Sequence, residues 1–278
     1  MKRIILLCLS FMMLLAVSCK KDKQVIPPVT NPVPLPVDDT AKVLLKDVTA
    51  SRLPSPYFHF EYDNRKYVTK IGFADNLDVY NLHYQDKRLA KMINTQNNNQ
   101  VIYTYSDKKV SLITELSGIT GAVIWKYYFD YNNSNQLVQV RWLRFENNGN
   151  DSVPHRKAIL AYYADGNLAS IDNFRAGTNG QVTWSSKIQY RDYDTLTNVD
   201  DFSLFKDFFD TLLYLPAVKI QKHNHATEII TGTDNDYTIT YRYQYNNGLP
   251  LSKKGTMVQT RGTGTGQTLS FSRQFSYY

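Results

Sequence analysis

From about residue 42 to the C-terminus, apolar and polar positions alternate with the period of a β-strand. In Tyr237-Thr-Ile239-Thr-Tyr241-Arg-Tyr243-Gln-Tyr245 every odd position is apolar or aromatic and every even one polar, as one buried and one wet face require. Leu269, Phe271, Phe275 and Tyr277 repeat the pattern, with Ser270, Ser272, Gln274 and Ser276 opposite. The alternation comes in units: an aromatic strand, a polar turn, then an apolar residue with another three or four places on. Seven copies begin at His59, Asn81, Ile102, Tyr128, Leu160, Ile188 and Tyr241, and Tyr62, Tyr84 and Tyr105 lie 22 and 21 residues apart. A period of that size holds two strands and their turns, so each unit predicts a hairpin. Asp165-Gly166 and Asn246-Asn247-Gly248 supply residues that tolerate the turn conformations.

The expected fold over 41–278 is therefore mainly β, an antiparallel β-meander of repeated hairpins whose sheet is open and twisted or folded over on itself. One segment breaks the rhythm. Between Asp200 and Leu215, Phe202, Phe205, Phe208, Phe209, Leu212 and Leu213 fall at helical spacing, with Pro216 after them, which predicts one short amphipathic helix. Its expected role is to cover a face or end of the sheet, or to act as a lid over a ligand groove.

The N-terminus follows another grammar. Lys2 and Arg3 precede an apolar run from Ile4 to Val17, too short and wrongly flanked for a spanning helix, so 1–18 reads as a signal peptide. The run ends in Ala16-Val17-Ser18-Cys19, which resembles the lipobox of bacterial lipoproteins and implies lipidation of Cys19. The other cysteine, Cys8, lies inside the segment to be removed. Residues 19–40 hold five of the ten prolines and predict a semi-rigid tether of about 3.1 Å per residue, about 60 Å in all when extended. This start resembles outer-membrane lipoproteins of the Bacteroidota, with periplasmic and surface-exposed orientations both open.

The repeat resembles the tyrosine-aspartate (YD) repeats of Rhs-type proteins and, more closely, β-meander lipoproteins of Bacteroidota with the same Tyr-x-Tyr, turn, Leu-x-x-Ile units. The likeness covers most of residues 57 to 278 and implies an architecture and an envelope location. Rhs shells use dozens of repeats and a Tyr-Asp-x-x-Gly-Arg-Leu turn that is incomplete in every copy here, so encapsulation of a cargo is not implied.

Composition sharpens this picture by exclusion. With 42% hydrophobic and 21% charged residues in 278, the chain is no disordered polymer. Of the formal charge of +7, +4 falls within residues 1–25; the remainder carries interspersed signs and no basic run for phosphates, which sets nucleic acid aside. The acidic pairs Asp192/Asp194 and Asp234/Asp236 sit beside turns, as do Asp63, Asp86, Asp107 and Asp165, which fits turn-forming roles. His223 and His225 are close, but His59, His83 and His155 are distant in sequence, and a zinc site needs a third ligand. No hydrolase, zinc-protease or phosphate-loop motif occurs, and the glycines of 261–267 suit a hairpin loop. No metal and no cofactor is expected.

What remains is an aromatic surplus of 21 Tyr and 13 Phe. Aromatic surfaces suit sugars, peptides or protein partners. Trp125, Trp142 and Trp184, backed by Tyr103, Tyr127 and Tyr243, are the candidate ligand-binding residues. The expected function is a lipid-anchored cell-envelope binding or assembly module without catalysis, presenting a sheet surface to a glycan, peptide or envelope protein. The alternatives are a carboxylate-dependent hydrolase and a purely structural envelope component.

Overall fold

The computed structural model describes residues 43–177, 180–204, 212–216 and 218–278. The signal, Cys19 and the tether lie outside the described residues. The described chain forms sixteen strands: β1 (Leu45–Ala50), β2 (Phe58–Tyr62), β3 (Val68–Phe73), β4 (Asp78–Gln85), β5 (Arg88–Asn94), β6 (Gln100–Ser106), β7 (Lys109–Leu116), β8 (Val123–Tyr131), β9 (Leu137–Glu146), β10 (Asp151–Tyr162), β11 (Leu168–Ala176), β12 (Val182–Thr197), β13 (His223–Gly232), β14 (Asp236–Asn246), β15 (Leu249–Arg261) and β16 (Thr268–Tyr277). Each pairs antiparallel with its neighbours in sequence, and β16 returns to β1 through Leu45↔Tyr277 and Val48↔Phe275. The meander is thus neither open nor folded over, as the sequence led us to expect; it is a closed barrel. Closure leaves no strand edge unpaired, which removes the exposed backbone donors and acceptors of an open sheet.

The repeat has a physical explanation in the hairpins. Tyr62, Tyr84, Tyr105, Tyr131 and Tyr162 pair directly with Val68, Leu89, Val110, Leu137 and Leu168, each beside a register shift. The extra residue of each bulge lets two inward residues sit three apart on one strand: Val68 with Ile71, Leu89 with Met92, Val110 with Ile113, Leu137 with Val140, Leu168 with Ile171, all buried. That is why Leu-x-x-Ile follows a strand of period two. The tyrosine hydroxyls stitch neighbouring hairpins together. Tyr62, Tyr105, Tyr131, Tyr162, Tyr193 and Tyr277 donate to the carbonyls of Leu45, Leu89, Val110, Leu137, Leu168 and Pro250 at 2.8, 2.9, 3.0, 2.9, 2.6 and 2.6 Å. Phenylalanine would fill the same space and leave those carbonyls unpaired.

Among the described residues the only helical element is a short 3-10 turn at Asn147–Gly149. The helix expected over 200–215 is not found where the chain is described: 200–204 and 212–215 have no helical backbone, and the rest of that run, 205–211, lies outside the described residues. The described residues of this run belong to the connection from β12 to β13, and their apolar side chains pack into the barrel lumen instead of covering a sheet face. The Phe202 ring meets Phe58 and Phe60 edge-on at 4.9 and 5.0 Å, Leu212, Leu213, Tyr214 and Leu215 are buried, and Tyr103 donates to the Tyr214 carbonyl at 2.8 Å. Phe202, Leu212 and Leu213 thus find apolar partners in the lumen without helical backbone at the described positions.

Sidedness follows the alternation. Tyr237, Ile239, Tyr241, Tyr243 and Tyr245 face the lumen, while Thr240, Arg242 and Gln244 are exposed. The register places Lys70, Lys126, Arg141 and Lys187 on the outer face, where cross-strand pairs join Lys70 to Glu61 at 2.9 Å, Arg141 to Asp130 at 3.5 Å and Lys187 to Asp172 at 3.2 Å. A membrane-spanning barrel has the opposite pattern, apolar outward and polar inward. The outer wall of this barrel suits water.

The polar half of the lumen

The lumen has two unlike sectors. Toward β2–β9 it is filled by Phe58, Phe60, Ile71, Leu89, Met92 and Ile113, all at most 2% exposed. Toward β10–β16 it holds a cavity of ≈ 420 Å³ walled by those strands and by residues of the β12–β13 connection. Period-two alternation delivers Tyr241 and Tyr243 inward from β14, and the register sets Tyr243 beside Lys253 on β15 and Lys253 beside Arg273 on β16. On β12, Asp192 adopts a left-handed conformation with φ 57° and breaks the alternation, so that Tyr190 and Tyr193, three residues apart, both flank His225 of β13 with ring centroids 5.0 and 5.9 Å away.

Two hydrogen-bonded groups dominate the wall, one built on Glu228 and one on Arg273. His225 Nε2 lies 2.6 Å from Glu228 Oε1, the Tyr241 hydroxyl donates to the same carboxylate, and Tyr243 donates to the His225 carbonyl at 3.1 Å. Arg273 Nη1 donates to Asp200 Oδ2 at 2.7 Å. Lys253 Nζ stands 3.8 Å above the centre of the Tyr241 ring, a cation–π contact within a partly desolvated wall. Burial pushes the His225 imidazole down, helped by the charge of Lys253 and only partly opposed by Glu228, so it is neutral at neutral pH. Burial pushes the Glu228 carboxyl up, but the His225 hydrogen bond, the Lys253 charge and the Tyr241 hydroxyl outweigh it and hold the group below the usual carboxylate range. Burial, joined by the Glu228 charge, pushes the Tyr241 phenol up. The Asp200 charge raises Arg273. Glu228 is thus fixed as an anion and Arg273 as a cation, and Glu228 has none of the raised pKa of a carboxyl general acid.

The residues singled out from the sequence do not form one surface. Trp125, Tyr127 and Trp142 come together with His155: Trp125 is 6.3 Å from Tyr127 and 4.9 Å from His155, and Trp142 meets Tyr127 edge-on at 6.4 Å. Trp142, Tyr127 and Tyr103 are buried core residues, at 5, 3 and 6% exposure. Trp184 lies on the outer wall, its indole 3.4 Å from Asp172. Of the six, Tyr243 lines the cavity. The acidic pairs sit in local structure: Asp194 accepts from the Leu196 and Asn224 backbones at 2.9 and 3.1 Å and from the Tyr245 hydroxyl, Thr227 donates to Asp192, and Asp236 holds Arg261 at 2.8 Å at the foot of the glycine-rich loop. His223 is tied through its backbone to Asn167, apart from the His225–Glu228 pair. Among the described residues no three His, Cys, Asp or Glu side chains gather as metal ligands.

Sequence reasoning missed His225–Glu228, Lys253 and the Arg273–Asp200 pair. One signal was available. Arg273 occupies the inward phase between Phe271 and Phe275, where a charge is costly unless it is paired.

The fold of the described residues is therefore that of a closed, sixteen-stranded antiparallel barrel with a partly filled lumen. Solved structures resemble it in fold, two of them as follows. A porin-like protein from Bacteroides uniformis is 15% identical, with a TM-score of 0.55 over 80% of this chain and 89% of the other. A porin-like protein from Bacteroides vulgatus is 16% identical, with a TM-score of 0.55 over 84% of this chain and 99% of the other. Both likenesses speak to the fold alone, and neither neighbour is described as an enzyme. No known family matches the sequence, and no curated protein is significantly similar to it.

Proposed function

We propose that this chain is a lipid-anchored cell-envelope protein of the outer membrane, tethered through Cys19, whose barrel stands in water as a binding module and neither conducts solutes nor catalyses a reaction. The observation that carries this reading is the sidedness of the wall. Charged pairs such as Lys70–Glu61 and Lys187–Asp172 lie outward on the strands, and each charge at a bilayer midplane would cost about 2–4 kcal/mol. Attachment to a membrane then has to come from outside the barrel, and the lipobox at Cys19 supplies it; one acyl chain binds weakly, whereas the two or three of a lipoprotein anchor hold. The filled sector around Phe58, Phe60 and Met92 argues against a conduit, and the fixed charges of the polar sector argue for holding a ligand over moving a proton. The porin-like character of the two structural neighbours fits an envelope setting.

Metabolic labelling with a palmitate analogue tests the anchor: wild type takes up label and Cys19→Ala does not, while label retained by Cys19→Ala overturns it. Planar-bilayer recording tests the barrel: no unitary conductance is expected, and discrete channel steps abolished by proteolysis of the protein would sink the water-facing reading.

A further inference from the structure

We infer that the polar half of the lumen is a binding site for a neutral, polyhydroxylated ligand of one or two sugar rings. The inference rests on the binding-module reading above and gives it a site and a ligand class. The cavity of ≈ 420 Å³ falls in the range of small-molecule sites, roughly 300–1,000 Å³, and its wall combines two kinds of surface. Tyr190, Tyr241 and Tyr243 present aromatic rings, which match the C–H faces of a pyranose. Among them stand charged donors and acceptors, the Arg273 guanidinium hydrogen-bonded to Asp200 and the Glu228 carboxylate against His225. A hydroxyl both donates and accepts, so a polyol can bridge such neighbours without changing any protonation state.

Charge decides against an ionic ligand. The cations Arg156, Arg175, Lys253 and Arg273 share the wall with Asp200, Asp201 and Glu228, and Asp200 is already paired with Arg273 and Glu228 with His225. A carboxylate or ammonium ligand would have to compete with a pair that is already formed, leaving one member uncompensated, which is the costly outcome for a buried charge. A neutral ligand accepts hydrogen bonds from the pairs as they stand. Toward the β13–β14 and β15–β16 turns the inward positions Ile188, Ile230, Tyr237, Met257 and Leu269 are apolar and partly exposed, a rim suited to the less polar edge of a sugar.

The test is isothermal titration of the full-length protein, purified in a detergent without a sugar head group, against glucose, galactose, N-acetylglucosamine and maltose, with glucuronate as the charged counterpart. At least one neutral sugar is expected to bind saturably, about tenfold more weakly to Lys253→Met and to Tyr243→Phe, and equally well to Trp184→Ala on the outer wall. Both lumen variants are checked for native near-ultraviolet circular dichroism; Tyr243→Phe changes one hydroxyl and carries the test if Lys253→Met does not fold. Absence of binding by all four neutral sugars, tighter binding of glucuronate than of glucose, or binding lost in Trp184→Ala and kept in the lumen variants would each overturn the inference. A protein that is labelled at Cys19 and binds no sugar refutes the site and leaves the anchor standing. One that binds sugar and takes no label does the reverse.

Discussion

The two sectors of the barrel are made from the same repeat and end in opposite states. Around β2–β9 the bulged hairpins deliver two apolar side chains and a tyrosine inward, and Leu89, Met92, Val101, Val110, Ile113 and Leu137 are all at most 1% exposed. Around β10–β16 the same inward positions carry Arg156, Asn173, Glu228, Lys253 and Arg273, and a cavity remains. A closed barrel needs hydrogen-bonded closure and a consistent wet face; it does not need every sector of its lumen filled with hydrocarbon. The filled sector fixes the barrel, and the polar one is free to bind.

The largest expected effect tests that division. Phe60, 2% exposed and wedged against Phe58 and Phe202, should cost about 3–5 kcal/mol on substitution by alanine. Ile188→Ala, on the cavity wall and half-buried, should cost about 1 kcal/mol, because its side chain already borders a void. Urea denaturation of both variants reads the difference. Equal costs would mean the second sector is packed as tightly as the first.

The polar sector should also carry the acid sensitivity. His225 is held below its ordinary pKa in the native state by burial, so as pH falls below about 6.5 the unfolded chain takes up a proton the native one refuses, and stability drops by up to ~1.4 kcal/mol per pH unit until the lowered native value is passed. Glu228 has the same sign: its folded pKa is depressed, so its contribution is present above the ordinary carboxylate value and disappears as pH falls through the lowered one. His225→Gln should flatten the limb that begins below pH ~6.5 and also weaken the lower limb, because the His225 hydrogen bond is part of what holds the Glu228 carboxyl low. An unchanged slope from wild type to variant across that window would place the acid sensitivity elsewhere. In the filled sector the corresponding group is Tyr105, pushed up to about 12 by burial; its contribution is intact below pH ~10 and is lost as pH rises toward the native value.

Smaller still is the effect of a single link in the tyrosine ladder. Tyr131→Phe removes the 3.0 Å bond to the Val110 carbonyl and Tyr162→Phe the 2.9 Å bond to the Leu137 carbonyl; each should cost about 1 kcal/mol. Because Tyr131 pairs two filled hairpins and Tyr162 borders the polar sector, matching losses would show that the ladder is uniform around the barrel and that the sectors differ only in what fills them. A loss confined to Tyr131→Phe would instead make the ladder part of the filled sector alone.

How much of this could be read in the sequence depends on the distance over which each feature is decided. The hairpins, their turns and the inward phase of Tyr237 to Tyr245 are local and legible, and the Leu-x-x-Ile spacing was visible although its cause, a bulge, was not. Closure was illegible: the pairing of Leu45 with Tyr277 joins opposite ends of the domain and leaves no trace in either segment. Phe202, Leu212 and Leu213 misled because helical spacing and burial within a closed lumen make the same demand for apolar residues. The cavity was nearly invisible for a similar reason, since Asp200 and Arg273, 73 residues apart, meet only in the folded barrel. Aromatic residues alone pointed to the cavity only through Tyr243. An ionisable residue in the apolar phase of a strand, as at Lys253 and Arg273, was the better signal.

The smallest expected effect bears on the largest question, which medium the outer wall faces. Thr240 lies in the interior of β14, exposed and pointing away from the lumen, between the inward Ile239 and Tyr241. If that wall stands in water, Thr240→Lys adds one more charge to a surface already carrying Arg242 and Lys254 and changes stability by no more than about 0.5 kcal/mol. If the wall lay in hydrocarbon, the same lysine would cost about 2–4 kcal/mol near the midplane and less toward either edge. The comparison is made by urea denaturation in detergent and again after reconstitution into vesicles of phosphatidylcholine. A near-zero change in both media is the expected result, since a lipid tether at Cys19 leaves the barrel in the aqueous phase. A penalty that emerges only in vesicles would turn the wall toward lipid and with it overturn the proposed function, because a barrel that inserts has no need of an anchor.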